Sequence, residues 1–137
     1  MPETLTFSQA YYYDTLEEGI TVQAKLTSGA NSCTVITKID TGASYCLFER
    51  DYCEVLGLDL ELGQPQRFGT AMGSFLAYGH EITITVLGIE VATTAYFAAF
   101  DGFKRNVLGQ IGWLNRVRLG LVDEAGKLYL SRNEDEL

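Results

Sequence analysis

Residues 33–44 read Cys33-Thr34-Val35-Ile36-Thr37-Lys38-Ile39-Asp40-Thr41-Gly42-Ala43-Ser44. The first seven are β-branched and mostly apolar, the composition of a strand buried on both faces. The run passes without a break into Asp40, Thr41 and Gly42. Asp and Gly are turn residues, so the strand is predicted to stop there. A carboxylate at the end of a buried strand is costly unless it is hydrogen-bonded or charge-compensated. Asp40 is therefore either a plain strand-to-turn aspartate or a group held in place for chemistry, and its surroundings must decide.

Working outward, the pattern is mostly β. Ile20, Val22, Ala24 and Leu26 alternate with Thr21, Gln23 and Lys25, the period of a half-buried strand. Residues 27–31 have a turn composition. Residues 47–58 are predicted to form the first helix, with Phe48, Tyr52 and Val55 or Leu56 at spacings of three and four and Gly57 as the stop. Residues 60–66 are turn-like. Residues 68–73 and 74–78 form the two arms of a hairpin with its tip near 71–73. Ile82, Ile84 and Val86 alternate with threonines, 87–88 is a turn, and 89–100 returns as a strand. Residues 106–109 lead into a short helical stretch at 111–115. Val117, Leu119 and Leu121 alternate again, 123–127 is a loop, and 128–130 closes a last hairpin. No linker, low-complexity segment or strong internal repeat interrupts the chain.

The 137 residues are one domain's worth, and 47% hydrophobic content excludes disorder. The longest apolar stretch, near residues 92–100, is broken by threonines and far shorter than the roughly 20 residues of a membrane span. The formal charge of −8, from 18 acidic and 10 basic residues, argues against nucleic-acid binding. The acidic run at 133–137 reads as a frayed, solvated terminus. Three cysteines, Cys33, Cys46 and Cys53, match no zinc spacing, and His80 is the single histidine, so no metal site is expected. Residues 1–9 have neither a basic nor an apolar signal region; with free thiols, this predicts a cytoplasmic location.

Few residues remain for catalysis. His80 lies in a glycine-flanked segment that reads as a solvated loop, and no partner for a triad is evident. Cys46 and Cys53, seven apart, are expected on the inner face of the first helix as small core hydrophobes. No phosphate-cradling glycine loop is present. Asp40 is left.

The segment from Ile36 through Asp40-Thr41-Gly42-Ala43-Ser44 resembles the active-site loop of aspartic proteases, and most closely that of the single-domain retropepsins. Glu54-Val55-Leu56-Gly57-Leu58 resembles the segment that follows this loop in cellular members. Phe68-Gly69-Thr70-Ala71-Met72-Gly73 stands where the family carries its flap. Val107-Leu108-Gly109 resembles its hydrophobic-hydrophobic-Gly motif, and Gly109-Gln110-Ile111-Gly112-Trp113-Leu114 the short helix after it in bacterial relatives. The resemblance covers about residues 18–131, leaving 1–17 as an N-terminal segment that packs on the domain or a dimer mate and 132–137 as an acidic tail.

The resemblance implies an all-β, closed-barrel acid-protease fold with one or two short helices. It also implies a homodimer, because the family's chemistry needs two facing carboxylates and this chain carries one Asp-Thr-Gly. Two carboxylates about 3 Å apart share one proton. The ionised one activates water, and the protonated one hydrogen-bonds to the peptide carbonyl. No cofactor or metal is required. Asp40, Thr41 and Gly42 would form the catalytic loop, with Thr41 bonding across the two-fold axis. Ala43, the flap-tip residues Thr70, Ala71, Met72 and Gly73, and Val107 would meet the peptide or protein substrate. Leu108 and Gly109 would pack behind the loop, and Trp113 would serve the core or the interface. The implied activity is an aspartic endopeptidase. Two alternatives stay open: a protease-like dimeric peptide-binding module with little or no turnover, and an unrelated barrel whose Asp-Thr-Gly is accidental.

Overall fold

A computed structural model of the chain describes residues 1–135 of its 137. Among these, the strands are β1 (Gln9–Tyr12), β2 (Ile20–Ser28), β3 (Asn31–Ile39), β4 (Leu47–Phe48), β5 (Gln64–Thr70), β6 (Gly73–Val86), β7 (Ile89–Ala98), β8 (Val107–Leu108), β9 (Val117–Val122) and β10 (Lys127–Arg132). One short α-helix, α1 (Arg50–Val55), and 3-10 turns at Leu60–Leu62, Leu114–Arg116 and Asp123–Ala125 complete the elements.

β2 follows its pattern: Val22, Ala24 and Leu26 are buried while Gln23 and Lys25 are exposed. β3 does not have two buried faces. Val35, Thr37 and Ile39 point inward, and Ile36 is 58% exposed. Register decides this, because the side chains of a strand alternate strictly. Thr37 is accepted in the core because its hydroxyl donates to the carbonyl of Val22 at 2.8 Å.

The larger sheet runs β2-β3-β8-β4-β7-β6-β5. β2 also pairs with β6, Lys25–Thr27 against Thr83–Thr85, and this closes the sheet on itself. Inside it lie Leu26, Val35, Phe48, Ile84, Val86, Phe97, Leu108 and Trp113. Trp113 is fully buried, so it belongs to the core; its indole N–H finds no acceptor among the described residues. β5 and β6 form a hairpin, Gln64–Thr70 paired against residues 73–79, that turns at Ala71 and Met72.

Four further expectations are corrected. The helix over 47–58 is shorter: Leu47 and Phe48 form β4, paired with Tyr96 and Phe97 of β7, and helix begins only at Arg50. The helical spacing of Phe48 and Tyr52 misled because Phe48 is buried by the sheet instead. Cys46 consequently precedes β4 and shares no helix face with Cys53, although both are buried. His80 is not in a solvated loop; it lies within β6, half-buried, with Nε2 2.9 Å from the carbonyl oxygen of Leu60. The chain end is not frayed through Asp135. Asp135 accepts from the backbone N–H of Arg132 at 3.2 Å, and Asn133 donates to the carbonyl of Asn115 at 2.9 Å. Residues 136 and 137 of the predicted tail lie outside the described residues.

A second, three-stranded sheet has the order β1-β10-β9. The N-terminal segment is thus tied to the far end of the chain, Gln9 opposite Leu130 and Tyr12 opposite Lys127. Tyr13 fastens the corner: its N–H donates to Gly126 at 3.0 Å and its hydroxyl donates to the Asp123 carboxylate. No helix of the described residues is long and apolar enough to cross a membrane.

Candidate active site

β3 delivers Asp40. Its N–H donates to the carbonyl of Leu108 at 3.0 Å, extending the parallel pairing of β3 with β8. The chain then turns sharply: the N–H of Gly42 donates to Asp40 Oδ1 at 2.9 Å, and the N–H of Ala43 donates to the Asp40 carbonyl at 3.1 Å. This is the local aspartate turn that Asp and Gly favour. Oδ2 takes no part in this turn and lies 3.5 Å from the Arg105 guanidinium.

Residues 43–45 run beside the segment after β8. The N–H of Gln110 donates to Ala43 and that of Ile111 to Ser44, both at 2.8 Å. Gly109 lies at the crossing. A Cβ there would fall on the carbonyl oxygen of Tyr45, 2.6 Å from its carbon and 2.8 Å from the carbonyl oxygen of Ala43. Val107-Leu108-Gly109 therefore buttresses the Asp40 loop, Leu108 in the core and Gly109 in contact.

A cleft of about 460 Å³ opens over this loop. Asp40, Gly42, Ala43, Thr70 and Val107 line it. Thr41, Ala71, Met72 and Gly73 do not. Thr41 is exposed, and its hydroxyl has no hydrogen-bond partner among the described residues. The hairpin tip is held by Thr70, whose Oγ1 donates to the Gly73 carbonyl at 2.9 Å and accepts from the Met72 N–H at 3.2 Å. Met72 is fully exposed there, and Gly73 takes the positive φ of 127° that a glycine tolerates.

The floor is apolar and separate from the main core. Leu47, Ala77, Tyr96 and Val107 are buried together, with Ala43, Tyr45, Phe68, Phe75 and Phe103 packed against them. The rings form a continuous series: Tyr96 to Tyr45 at 5.1 Å, Tyr96 to Phe68 at 5.4 Å, Phe68 stacked on Phe75 at 5.6 Å, and Phe75 to Phe103 at 5.3 Å. Burial, followed by the proximity of Tyr45, pushes the Tyr96 hydroxyl above its ordinary range. Sequence reasoning found the hairpin arms that carry Phe68 and Phe75 but not this cluster. The signal was five aromatics, Tyr45, Phe68, Phe75, Tyr96 and Phe103, separated in sequence and joined only by the fold.

Charge at the cleft is sparse. Asp40 is its single carboxylate among the described residues, and Arg67 and Arg105 are its cations. The Arg105 guanidinium stands 3.5 Å from Asp40 Oδ2, with side chains 61% and 33% exposed. Arg105 was also missed by sequence reasoning, although it lies two residues before Val107. No cluster of three or more metal-ligating side chains occurs among the described residues.

No family model matches this sequence, and no curated protein matches it. Solved structures do match its fold. A retropepsin-like aspartic protease from Rickettsia conorii superposes with a TM-score of 0.65 at 17% identity, covering 90% of this chain and 97% of that one. The EIAV protease, in complex with an inhibitor, superposes with a TM-score of 0.54 at 19% identity, covering 69% of this chain and 85% of that one. With the closed sheet, the Asp40 loop braced by Gly109 and the hairpin above the cleft, the chain has the retropepsin fold.

Proposed function

We propose that the chain is an aspartic endopeptidase whose active site forms when two copies bring their Asp40 carboxylates together. The observation that carries this reading is the isolation of Asp40. It is the single carboxylate of an open cleft among the described residues, set on a braced loop that engages one of its oxygens, Oδ1, while Oδ2 lies beside Arg105. Peptide hydrolysis without a metal needs a base for the water and an acid for the carbonyl oxygen. One carboxylate performs one of these roles, so the second must come from a partner copy. A two-fold axis through the loop supplies it.

The two carboxylates would share a proton, because like charges so close do not both ionise cheaply. The ionised member accepts a proton from water as the water attacks the scissile carbonyl. The protonated member donates a hydrogen bond to the developing oxyanion. The exposed, unpartnered hydroxyl of Thr41 would bond across the axis and hold the pair. The β5–β6 tip, residues 70–73, would act as a flap over an extended peptide and exclude water. The aromatic floor favours large apolar side chains beside the cleaved bond.

One observation favours a second reading. The Asp40–Arg105 pair leaves the carboxylate engaged with a cation, as in a dimeric peptide-binding module that does not turn over. Peptide turnover by the native chain and by Asp40→Asn separates the two, with dimerisation of each followed by sedimentation. Cleavage by the native dimer that vanishes in an Asp40→Asn dimer supports the protease. Peptide binding without cleavage by either supports the module. A strictly monomeric native chain that cleaves refutes the shared site.

A further inference from the structure

We propose that Arg105 selects an acidic side chain in the bound peptide, close to the cleaved bond. The inference rests on the peptide-cleft reading above and adds a charge to the apolar preference of the floor. Lys104 and Asn106, on either side of Arg105, are both committed to Glu49. Lys104 Nζ lies 3.9 Å from Oε1; Asn106 donates to Oε2 at 2.7 Å and accepts from the Glu49 N–H at 3.0 Å. The backbone of Asn106 also accepts from the N–H of Lys38 at 2.9 Å. The segment is thus held on both sides, and the guanidinium of the middle residue lies 3.5 Å from Asp40 Oδ2.

Arg105 is a fork of donors on a fixed base at the edge of an aromatic cleft. Its one ion-pair partner among the described residues is Asp40, at 3.5 Å. Glu17 and Glu18 border a neighbouring depression that Arg105 also lines, but they form no ion pair with it. A single contact leaves most of the five guanidinium N–H groups available. At 61% exposure the group sheds little hydration to meet another anion. A peptide lying over Asp40 would bring its neighbouring side chains to this guanidinium. An Asp or Glu there gains a charge-assisted hydrogen bond, whereas Lys or Arg meets a like charge. The overall charge of −8 does not oppose this at short range, because fields beyond about 8 Å are screened at physiological ionic strength.

The test uses fluorogenic peptides built around one Phe and differing only in Glu, Gln or Lys at each of the three positions on either side. The readout is the ratio of kcat/KM for the Glu and Gln peptides within each protein, so a general effect of Arg105 on Asp40 cancels. The native chain is expected to favour Glu roughly fivefold at one or more positions. Arg105→Gln should bring the ratio to one, Arg105→Lys should keep part of it, and Arg105→Glu should favour the Lys peptide. A native ratio near one at every position, or a preference unchanged in Arg105→Gln, overturns the proposal. If nothing is cleaved, the same peptides are titrated by fluorescence anisotropy. A Glu preference in binding that Arg105→Gln abolishes upholds the assignment while the protease reading falls. Absence of any such preference ends both.

Discussion

Gly109 lies against the backbone carbonyl of Tyr45 so closely that no side chain fits between them. Strand β8 thereby fixes the position of the loop that carries Asp40. Gly109→Ala is expected to displace that loop and to destabilise the fold by about 2–3 kcal/mol, the range for forced overpacking. Gly69→Ala is the control, since a Cβ there meets nothing within 4 Å and the backbone φ is ordinary. Urea midpoints should fall sharply for the first substitution and hardly move for the second. Equal midpoints would show that the crossing yields without cost.

The aromatic floor makes a second prediction. Phe75 touches Phe68, Phe100 and Phe103 at 5.3–5.6 Å between ring centroids but is only partly buried. Phe75→Ala should therefore cost less than the 3–5 kcal/mol of a fully buried ring, about 1–2 kcal/mol. Its larger effect should be on recognition: KM for peptides with a large apolar residue at the cleaved bond should rise severalfold, with little change for Ala-containing peptides. A uniform loss across both peptide sets would place Phe75 in the scaffold alone.

What the sequence made legible follows from where each signal resides. The Asp40 turn was readable because Asp-Thr-Gly after an apolar strand encodes its own geometry, and the structure forms that turn from local hydrogen bonds. The packing of Leu108 and Gly109 behind the loop was readable only through the resemblance of Val107-Leu108-Gly109 to a family motif, and the structure supplies its physical reason, the close approach of Gly109 to the Tyr45 carbonyl. The start of α1 was not, because Leu47 and Phe48 suit a helix face and a sheet interior equally, and pairing with Tyr96, Phe97 and Val107 decides between them. Arg105 was illegible for the same reason. A lone arginine in a loop acquires meaning only when Glu49 claims both of its neighbours.

The thiols differ by depth, and labelling should reveal it. Burial pushes Cys46 and Cys53 up to about 11, and both are fully buried. Cys33 is partly exposed and is raised by burial as well. The thiolate is the reactive form, so none of the three should behave as an activated nucleophile. At pH 8 in native buffer, an aromatic disulfide reagent should modify Cys33 alone and slowly, with Cys46 and Cys53 reacting only after urea unfolding. Rapid native labelling of Cys46 would show that the Asp40 loop opens, because Cys46 lies two residues past Ser44.

The second sheet carries a pH dependence of its own. The Tyr13 hydroxyl donates to the Asp123 carboxylate, and that hydrogen bond, followed by burial and the carboxylate's charge, pushes the phenol up to about 12 from an ordinary 10. A raised folded value means that the neutral phenol is favoured in the folded state. The stabilisation is therefore complete below pH 10 and is lost as pH rises from 10 toward 12, since the unfolded chain ionises first. Tyr13→Phe removes this linkage. The native chain should be the more stable of the two at pH 8, and the gap between their urea midpoints should narrow steadily above pH 10. A gap that stays constant to pH 11.5 would mean that Tyr13 contributes through its ring packing at the corner of β1 and not through the hydrogen bond to Asp123.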